Sequence, residues 1–206
     1  MPPPALKPAC AAARGLDLAF VSVLLSGTVT TTNIPASLGV AVGSKMSISF
    51  LTLPAPTDRI ASDGSNVHIT DGIGAYLICT ETFAISFDGS SMKGVKEGGD
   101  DLFLAIVSKR PVNDGMYISP SATVLKAVPI KVNGTGTLYP PEWTLDFSAV
   151  YERGTFSSLH MQQIAEKTYG KDGLQKYEVA LSTQFYSNTV LEASIDSIAF
   201  TMPERV

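Results

Sequence analysis

The chain has 206 residues, a net charge of −4 and a charged fraction of 17%, well below the roughly 25% of an average soluble domain. This length suits one domain with a substantial core, and the plentiful aliphatic and aromatic residues exclude a disordered chain. Acidic residues (19) outnumber basic ones (15), which argues against a strongly cationic nucleic-acid binder, and no apolar run reaches the roughly 18 residues of a membrane span.

The first segment, residues 1–15, is rich in proline and alanine and predicts a flexible N-terminal arm. Residues 16–206 then form a single domain, because no linker or repeat interrupts them. The apolar stretch Leu16–Leu25 comes too late for a secretory signal and contains Asp17. We therefore expect an intracellular protein.

Short apolar segments follow, separated by turns. Met46, Ile48 and Phe50 alternate with serines, which predicts a half-buried strand. The stretch Ile73–Phe87 is long enough for one bent strand or two short ones. Leu102–Val107 is a continuous apolar run, as expected for a strand buried on both faces.

The second half continues this pattern. Alternating apolar positions predict three more strands, which are marked by Trp143, Leu145, Phe147 and Tyr151, by Tyr177, Val179 and Leu181, and by Leu191, Ala193 and Ile195. Only Phe156–Tyr169, followed by Gly170, favours a helix. Eight or nine strands with one late helix indicate an all-β sandwich or barrel and exclude an alternating α/β enzyme.

Two cysteines are too few for a disulfide framework or a thiolate metal site. We expect Cys79 to be a small core residue and Cys10 to be a free thiol.

No catalytic motif or phosphate-binding loop is present, and His68 and His160 have no neighbour at metal-ligand spacing. We therefore predict no enzymatic activity, no cofactor and no metal. Asp63, Asn66 and Asp71 are weak calcium candidates, although their spacing differs from that of an EF-hand loop and a turn-rich hairpin explains them equally well. Three aromatic residues, Tyr117, Tyr139 and Trp143, are candidates for stacking on sugars.

The last third carries a resemblance. The predicted helix leads into Asp172-Gly-Leu-Gln-Lys-Tyr177-Glu-Val179, and a polar turn then leads into a final strand that starts at Thr189 and ends near Pro203. This succession resembles the C-terminal end of the single jelly-roll coat proteins of small icosahedral plant RNA viruses of the cucumovirus and bromovirus type. It covers roughly Val150 to Pro203. The resemblance implies an eight-stranded antiparallel jelly-roll sandwich with one short helix near 156–169.

The resemblance also implies a role. It predicts a virion protein, assembled in the host cytoplasm, in which copies of this chain form an icosahedral shell that encloses RNA. Coat proteins of this type carry a strongly basic arm, whereas residues 1–44 contain only Lys7 and Arg14 as bases. We therefore expect weak RNA binding, because affinity scales with the number of phosphates neutralised. The candidate contacts are Lys7, Arg14 and Lys45, with scattered bases that include Lys93, Lys96, Lys109, Arg110, Lys126 and Lys131.

Two other functions remain open from the sequence. A β-sandwich binding module of lectin-like or cell-surface type would use Tyr117, Tyr139 or the loop that contains Asp63 and Asp71. A structural subunit of a phage or a filament would share self-assembly with the coat protein but differ in symmetry.

Overall fold

The computed structural model describes residues 20–34, 40–52, 72–79, 82–88, 90–95, 104–119, 124–127, 142–183 and 189–202. The predicted arm, residues 1–15, lies outside these ranges. The described part is all-β, as predicted, with a single helix of four residues.

Twelve strands belong to one antiparallel sheet. They are β1 (Val21–Thr32), β2 (Lys45–Thr52), β3 (Ile73–Leu77), β4 (Ala84–Phe87), β5 (Ser90–Val95), β6 (Leu104–Lys109), β7 (Asn113–Ser119), β8 (Val124–Ala127), β9 (Glu142–Glu152), β10 (Lys167–Tyr169), β11 (Leu174–Thr183) and β12 (Thr189–Thr201), with helix α1 (Met161–Ile164) before β10. The predicted count of eight strands is not confirmed.

The sheet curls back on itself. Its strand order is β10-β12-β1-β2-β4-β5-β8-β9-β7-β6-β3, and β11 pairs with both β9 and β12. Because β11 joins two strands that are far apart in this order, the sheet encloses a single core. Every pairing is antiparallel, and β11 covers strand edges of β9 and β12 that would otherwise be open.

The predicted alternation is confirmed in the strands that line the core. Met46, Ile48 and Phe50 of β2 point inward, and Ser47 and Ser49 lie between them at intermediate exposure. In β9 the inward positions are Leu145, Phe147, Ala149 and Tyr151, and in β12 they include Leu191, Ala193 and Ile195. Period-two patterning therefore identified the buried face of each of these strands.

Tyr177 departs from the alternation predicted for β11. Val179 and Leu181 are buried, but Tyr177 is 45% exposed. Among the described residues, the strand pairs with β12 through Ala180–Ser182 alone, and its first half has no paired strand on that side. The ring of Tyr177 consequently remains open to solvent.

The helix predicted over Phe156–Tyr169 is wrong in extent. Only Met161–Ile164 is helical, and Lys167–Tyr169 is a strand paired with β12. Hydrogen bonds to side chains of the sheet explain the difference. Asp114 accepts the N–H of Phe156, and the hydroxyl of Tyr76 both donates to the carbonyl of Leu159 and accepts the N–H of Met161.

The expectation for the cysteines also needs correction. Cys79 is buried, as predicted, but it is disulfide-bonded. Its short distance from another sulfur depends on how the chain folds, which cysteine spacing alone does not reveal. Cys10 lies outside the described residues.

Candidate functional site

One end of the sheet holds a cavity of about 420 Å³. Strands β3, β6, β7 and β9 meet there, with the turns that leave β6 and β9. The cavity, here named the β6–β7 cavity, is lined by Gly72, Lys109, Arg110, Pro111, Asp114, Arg153 and Gly154.

Strand register brings these residues together from distant parts of the chain. Lys109 lies opposite Asp114 across β6 and β7, and Asp114 lies opposite Tyr151 across β7 and β9. Gly72 joins the same row, because its carbonyl accepts the N–H of Lys109. A side chain at position 72 would meet that strand, since a Cβ there would stand 2.5 Å from the carbonyl oxygen of Lys109.

Asp114 forms the inner wall of the cavity. It is 1% exposed, accepts the N–H of Phe156 at 2.7 Å and lies 3.7 Å from Nζ of Lys109. Lys109 also donates to the carbonyl of Phe156. A buried carboxylate requires such compensation, because an isolated charge is costly to remove from water. The charges of Lys109 and Asp114 therefore neutralise each other.

Two arginines complete the cavity. Arg110 follows β6, and its N–H is bonded to the carbonyl of Asn113, so the turn is tight. Arg153 follows β9 in a turn closed by Thr155, whose N–H and hydroxyl both bond to the carbonyl of Glu152. Both arginines are exposed, and neither forms an ion pair with any residue that the structure describes. The lining consequently carries an excess of positive charge.

Three buried hydroxyls lie in the strands behind this cavity. Within the described residues Ser108, Tyr151 and Tyr169 have no hydrogen-bond partner for their side-chain oxygens. Burial, with the neighbouring Tyr169, raises the pKa of Tyr151 to about 12. Burial and the negative charge of Asp114 also raise the pKa of Tyr169. Both tyrosines therefore remain neutral at physiological pH.

The tyrosines belong to an aromatic cluster. Phe156 packs edge-on against Tyr169 with ring centroids 4.8 Å apart, and Phe200 packs edge-on against Tyr169 at 5.8 Å. Tyr151 lies 5.6 Å from Phe156. Contacts of this kind stabilise a core beyond the area that they bury. The cluster thus supports the strand ends that carry Asp114 and Arg153.

A second surface has a different character. Part of the outer side of β12, β1, β2 and β4 holds only serines, threonine, alanines and leucines, and this patch is here named the uncharged face. Lys45, Glu192 and Asp196 lie beyond it on the same strands. Register places its members side by side across the four strands: Ser22, Leu24 and Ser26, then Ser47, Ser49 and Leu51, then Ala84 and Ser86, and Ser197, Ala199 and Thr201. All are at least partly exposed, and Leu24 is 42% exposed.

The outer side of β7, β9 and β11 contrasts with the uncharged face. Ser148 of β9 lies between Tyr117 and Glu178 across the neighbouring strands, and Asp146 lies opposite Ala180. Burial, with the nearby Glu178, raises the pKa of Asp146. The paired outward positions of β7, β9 and β11 therefore include charged residues, unlike the positions of the uncharged face.

Lys45, one of the predicted RNA contacts, is exposed and lies 3.3 Å from the carboxylate of Asp196. Lys171 lies 3.0 Å from the other oxygen of this carboxylate, and the hydroxyl of Thr28 donates to it. The hydrogen bond from Lys171, with those from Thr28 and Lys45, lowers the pKa of Asp196. The charge of Lys45 is therefore shared with a carboxylate.

Most other predicted site residues fall outside the described ranges. They are Lys7 and Arg14, the calcium candidates Asp63, Asn66 and Asp71, and Tyr139. Trp143 lies in β9, where the description does not extend to its side chain. Tyr117 lies across Gly115 on the outer side of β7, since a Cβ at position 115 would stand 2.8 Å from its hydroxyl. His160 is exposed and directly precedes α1.

The sequence did not reveal Asp114 and Arg153 as site residues. Lys109 and Arg110 were grouped only with scattered bases, because their proximity to Arg153 depends on the pairing of β7 with β9. The one available signal was that Arg110 and Arg153 each follow a strand directly, where a turn exposes the side chain.

Comparison with protein-family models, with characterised proteins and with solved structures gives no match. In the described part of the chain, no helix is long and apolar enough to cross a membrane. The same residues contain no group of three or more His, Cys, Asp or Glu side chains placed to hold a metal ion.

Proposed function

We propose that this protein is a structural subunit that assembles with copies of itself. In its specific form the proposal is a jelly-roll virus coat protein whose shell encloses RNA, as the resemblance of residues 150–203 implies. The observation that carries self-assembly is the uncharged face.

The uncharged face suits contact with another protein copy. Charged residues are depleted at the centres of protein interfaces, because their desolvation is costly. Eleven neighbouring outward positions on four strands carry no charge, although the chain as a whole has 34 acidic and basic residues. Their small side chains allow a close approach, and Leu24 supplies exposed apolar area near the middle of the face. A second copy of this chain is therefore the occupant that we assign to it.

Two further features support a shell. The guanidinium groups of Arg110 and Arg153 form no ion pair with any residue that the structure describes, and phosphate contacts made by them would not depend on a basic arm. The disulfide at Cys79 suits a protein that persists in an oxidising environment, such as a virion surface.

The test compares particle formation by two matched variants. Ser49→Lys places a charge at the centre of the uncharged face, between Leu24 and Ala84. Ser148→Lys places the same charge on the outer side of β9, and Ser148 has similar intermediate exposure. We expect closed particles by negative-stain electron microscopy for the original chain and for Ser148→Lys, and smaller species for Ser49→Lys in sedimentation velocity.

Each other outcome has a defined meaning. A folded original chain that remains monomeric across pH, salt and added RNA would overturn the proposal. Particles that Ser49→Lys leaves intact would remove the uncharged face from the interface. Filaments would keep the structural role and replace the icosahedral shell. The ratio of absorbance at 260 and 280 nm on the particle fraction reports enclosed RNA.

A binding module is the second candidate, and the position of Tyr117 favours it. The ring lies across Gly115 and is partly exposed on the outer side of β7, which suits stacking on a sugar. A glycan-array signal that Tyr117→Ala abolishes, from a monomeric protein, would select this function over the shell.

A further inference from the structure

We propose that the β6–β7 cavity binds a phosphate group through Arg110 and Arg153. This inference goes beyond self-assembly and does not depend on it. The ligand class is a phosphate anion, supplied either by a free polyphosphate or by the backbone of a nucleic acid.

The charge distribution of the cavity is the first argument. The charges of Lys109 and Asp114 compensate each other. The other charged groups that line the cavity are the guanidinium groups of Arg110 and Arg153. Glu152, which immediately precedes Arg153, makes no ion pair with either arginine among the residues that the structure describes. Because the whole chain has a net charge of −4, this concentration of positive charge is local to the cavity.

The second argument is that hydrogen-bonded turns fix the backbone at both arginines. Arg110 stands on the tight turn between β6 and β7, and Arg153 stands on the turn that Thr155 closes. The bonds of Asp114 and Lys109 to Phe156 hold the chain after β9 against the strand ends. A guanidinium group can present two parallel N–H groups to phosphate oxygens, and a fixed backbone reduces the entropy lost on binding.

The size of the cavity is the third argument. About 420 Å³ is within the range of small-ligand sites and exceeds the volume of a single phosphate. A diphosphate or one nucleotide step of a single strand would fit beside the arginines.

The test measures binding of two probes to the full chain. Pyrophosphate is titrated by isothermal calorimetry, and a fluorescein-labelled ten-nucleotide oligouridylate is titrated by fluorescence anisotropy at 50 mM NaCl. We expect Arg110→Ala and Arg153→Ala each to raise the Kd for pyrophosphate about tenfold, since each removes a charge-assisted hydrogen-bonding group. Arg153→Lys keeps the charge and should recover only part of the affinity, because it loses the paired donors.

Lys171→Ala is the matched control. It also removes one positive charge, but from a side chain that is paired with Asp196, and we expect it to leave the Kd for pyrophosphate unchanged. All three substituted side chains are exposed, and circular dichroism checks the folding of each variant.

The two probes separate the source of the phosphate. If pyrophosphate and the oligouridylate compete for the arginines, the site exists and its phosphate comes from the backbone of a nucleic acid. Binding of pyrophosphate alone supports the site with a free polyphosphate source. No binding of either probe, or equal binding by the double Arg110→Ala, Arg153→Ala variant, would overturn the inference. Assembly is scored separately by electron microscopy, so loss of anion binding from intact particles leaves the shell proposal standing.

Discussion

At the scale of single residues, Gly27 shows how closely two strands approach. It is buried at a register shift between β1 and β12, where the ladder passes from Ser197 to Ile195 and no residue of β1 lies directly opposite Asp196. A Cβ at position 27 would stand 2.1 Å from the carbonyl oxygen of Ser194, and that oxygen belongs to the backbone. The strands must therefore separate to accept any side chain there.

We expect Gly27→Ala to lower the free energy of unfolding by about 2–3 kcal/mol, because overpacking forces a backbone shift. Urea unfolding followed by circular dichroism measures the change. Gly170→Ala is the control, since a Cβ there meets nothing closer than the carbonyl oxygen of Asp196 at 4.0 Å. An equal loss in both variants would contradict the close approach of β1 to β12.

Tyr151 predicts how stability depends on alkaline pH. Its pKa is about 12 in the folded chain and about 10 when unfolded. Below pH 10 both states keep the proton, so this residue adds no pH dependence. Between pH 10 and 12 only the unfolded state releases the proton, and the free energy of unfolding must therefore fall as the pH rises.

We expect Tyr151→Phe to make this alkaline decline shallower, as measured by urea unfolding at a series of pH values. At pH 7 the substitution should not lower stability, because the hydroxyl has no partner among the described residues. Tyr177→Phe is the control, since that ring is 45% exposed. If the free energy of unfolding falls equally steeply with alkaline pH in Tyr151→Phe and in the original chain, the fall is not caused by Tyr151.

At the scale of elements, the segment from Arg153 to Glu166 is held by the sheet and not by its own helical bonds. Asp114, Lys109 and Tyr76 bond to its backbone at Phe156, Leu159 and Met161. Ala165 has an extended backbone, which ends the short helix α1, and Glu166 follows with a φ of 65° before β10 begins. Sequence pattern alone favoured a helix here, because it does not contain these distant partners.

Asp114→Ala should therefore loosen this segment. We expect a loss of about 3–5 kcal/mol in the free energy of unfolding, because Lys109 becomes a partly buried cation without a negative charge beside it and the N–H of Phe156 loses its acceptor. Hydrogen exchange should accelerate at Phe156 and Met161. Asp196→Asn breaks only exposed ion pairs and should cost no more than about 1 kcal/mol, with exchange at both amides unchanged.

The strands were predicted better than the helix for a physical reason. In β2, β9 and β12 every second residue is apolar and buried, so the local sequence is sufficient to predict the buried face. The same pattern placed Tyr177 in the core. The residue is exposed, however, because among the described strands none pairs with the first half of β11 on the side of β12. Local periodicity therefore identifies a strand without identifying what covers it.

At the scale of the whole molecule, the curl of the sheet gives the protein two unlike outer sides. The side formed by β12, β1, β2 and β4 carries the uncharged face, and the side formed by β7, β9 and β11 carries Asp146 and Glu178. In the assembly that we propose, copies of this chain would meet at the side that carries the uncharged face. The cavity with Arg110 and Arg153 lies at an end of the sheet, where it does not compete with the uncharged face.

The sequence by itself determined the all-β class, the low charge and the inward face of the strands that line the core, because these depend on composition and on a period of two. Only the tertiary structure decided how many strands pair, that Cys79 is bonded, and that Asp114, Lys109 and Arg153 meet at one cavity. Those features require register between strands that are far apart in the sequence, such as β1 and β12, which pair Ser22 with Thr201, and such long-range pairing leaves no signal in the local pattern.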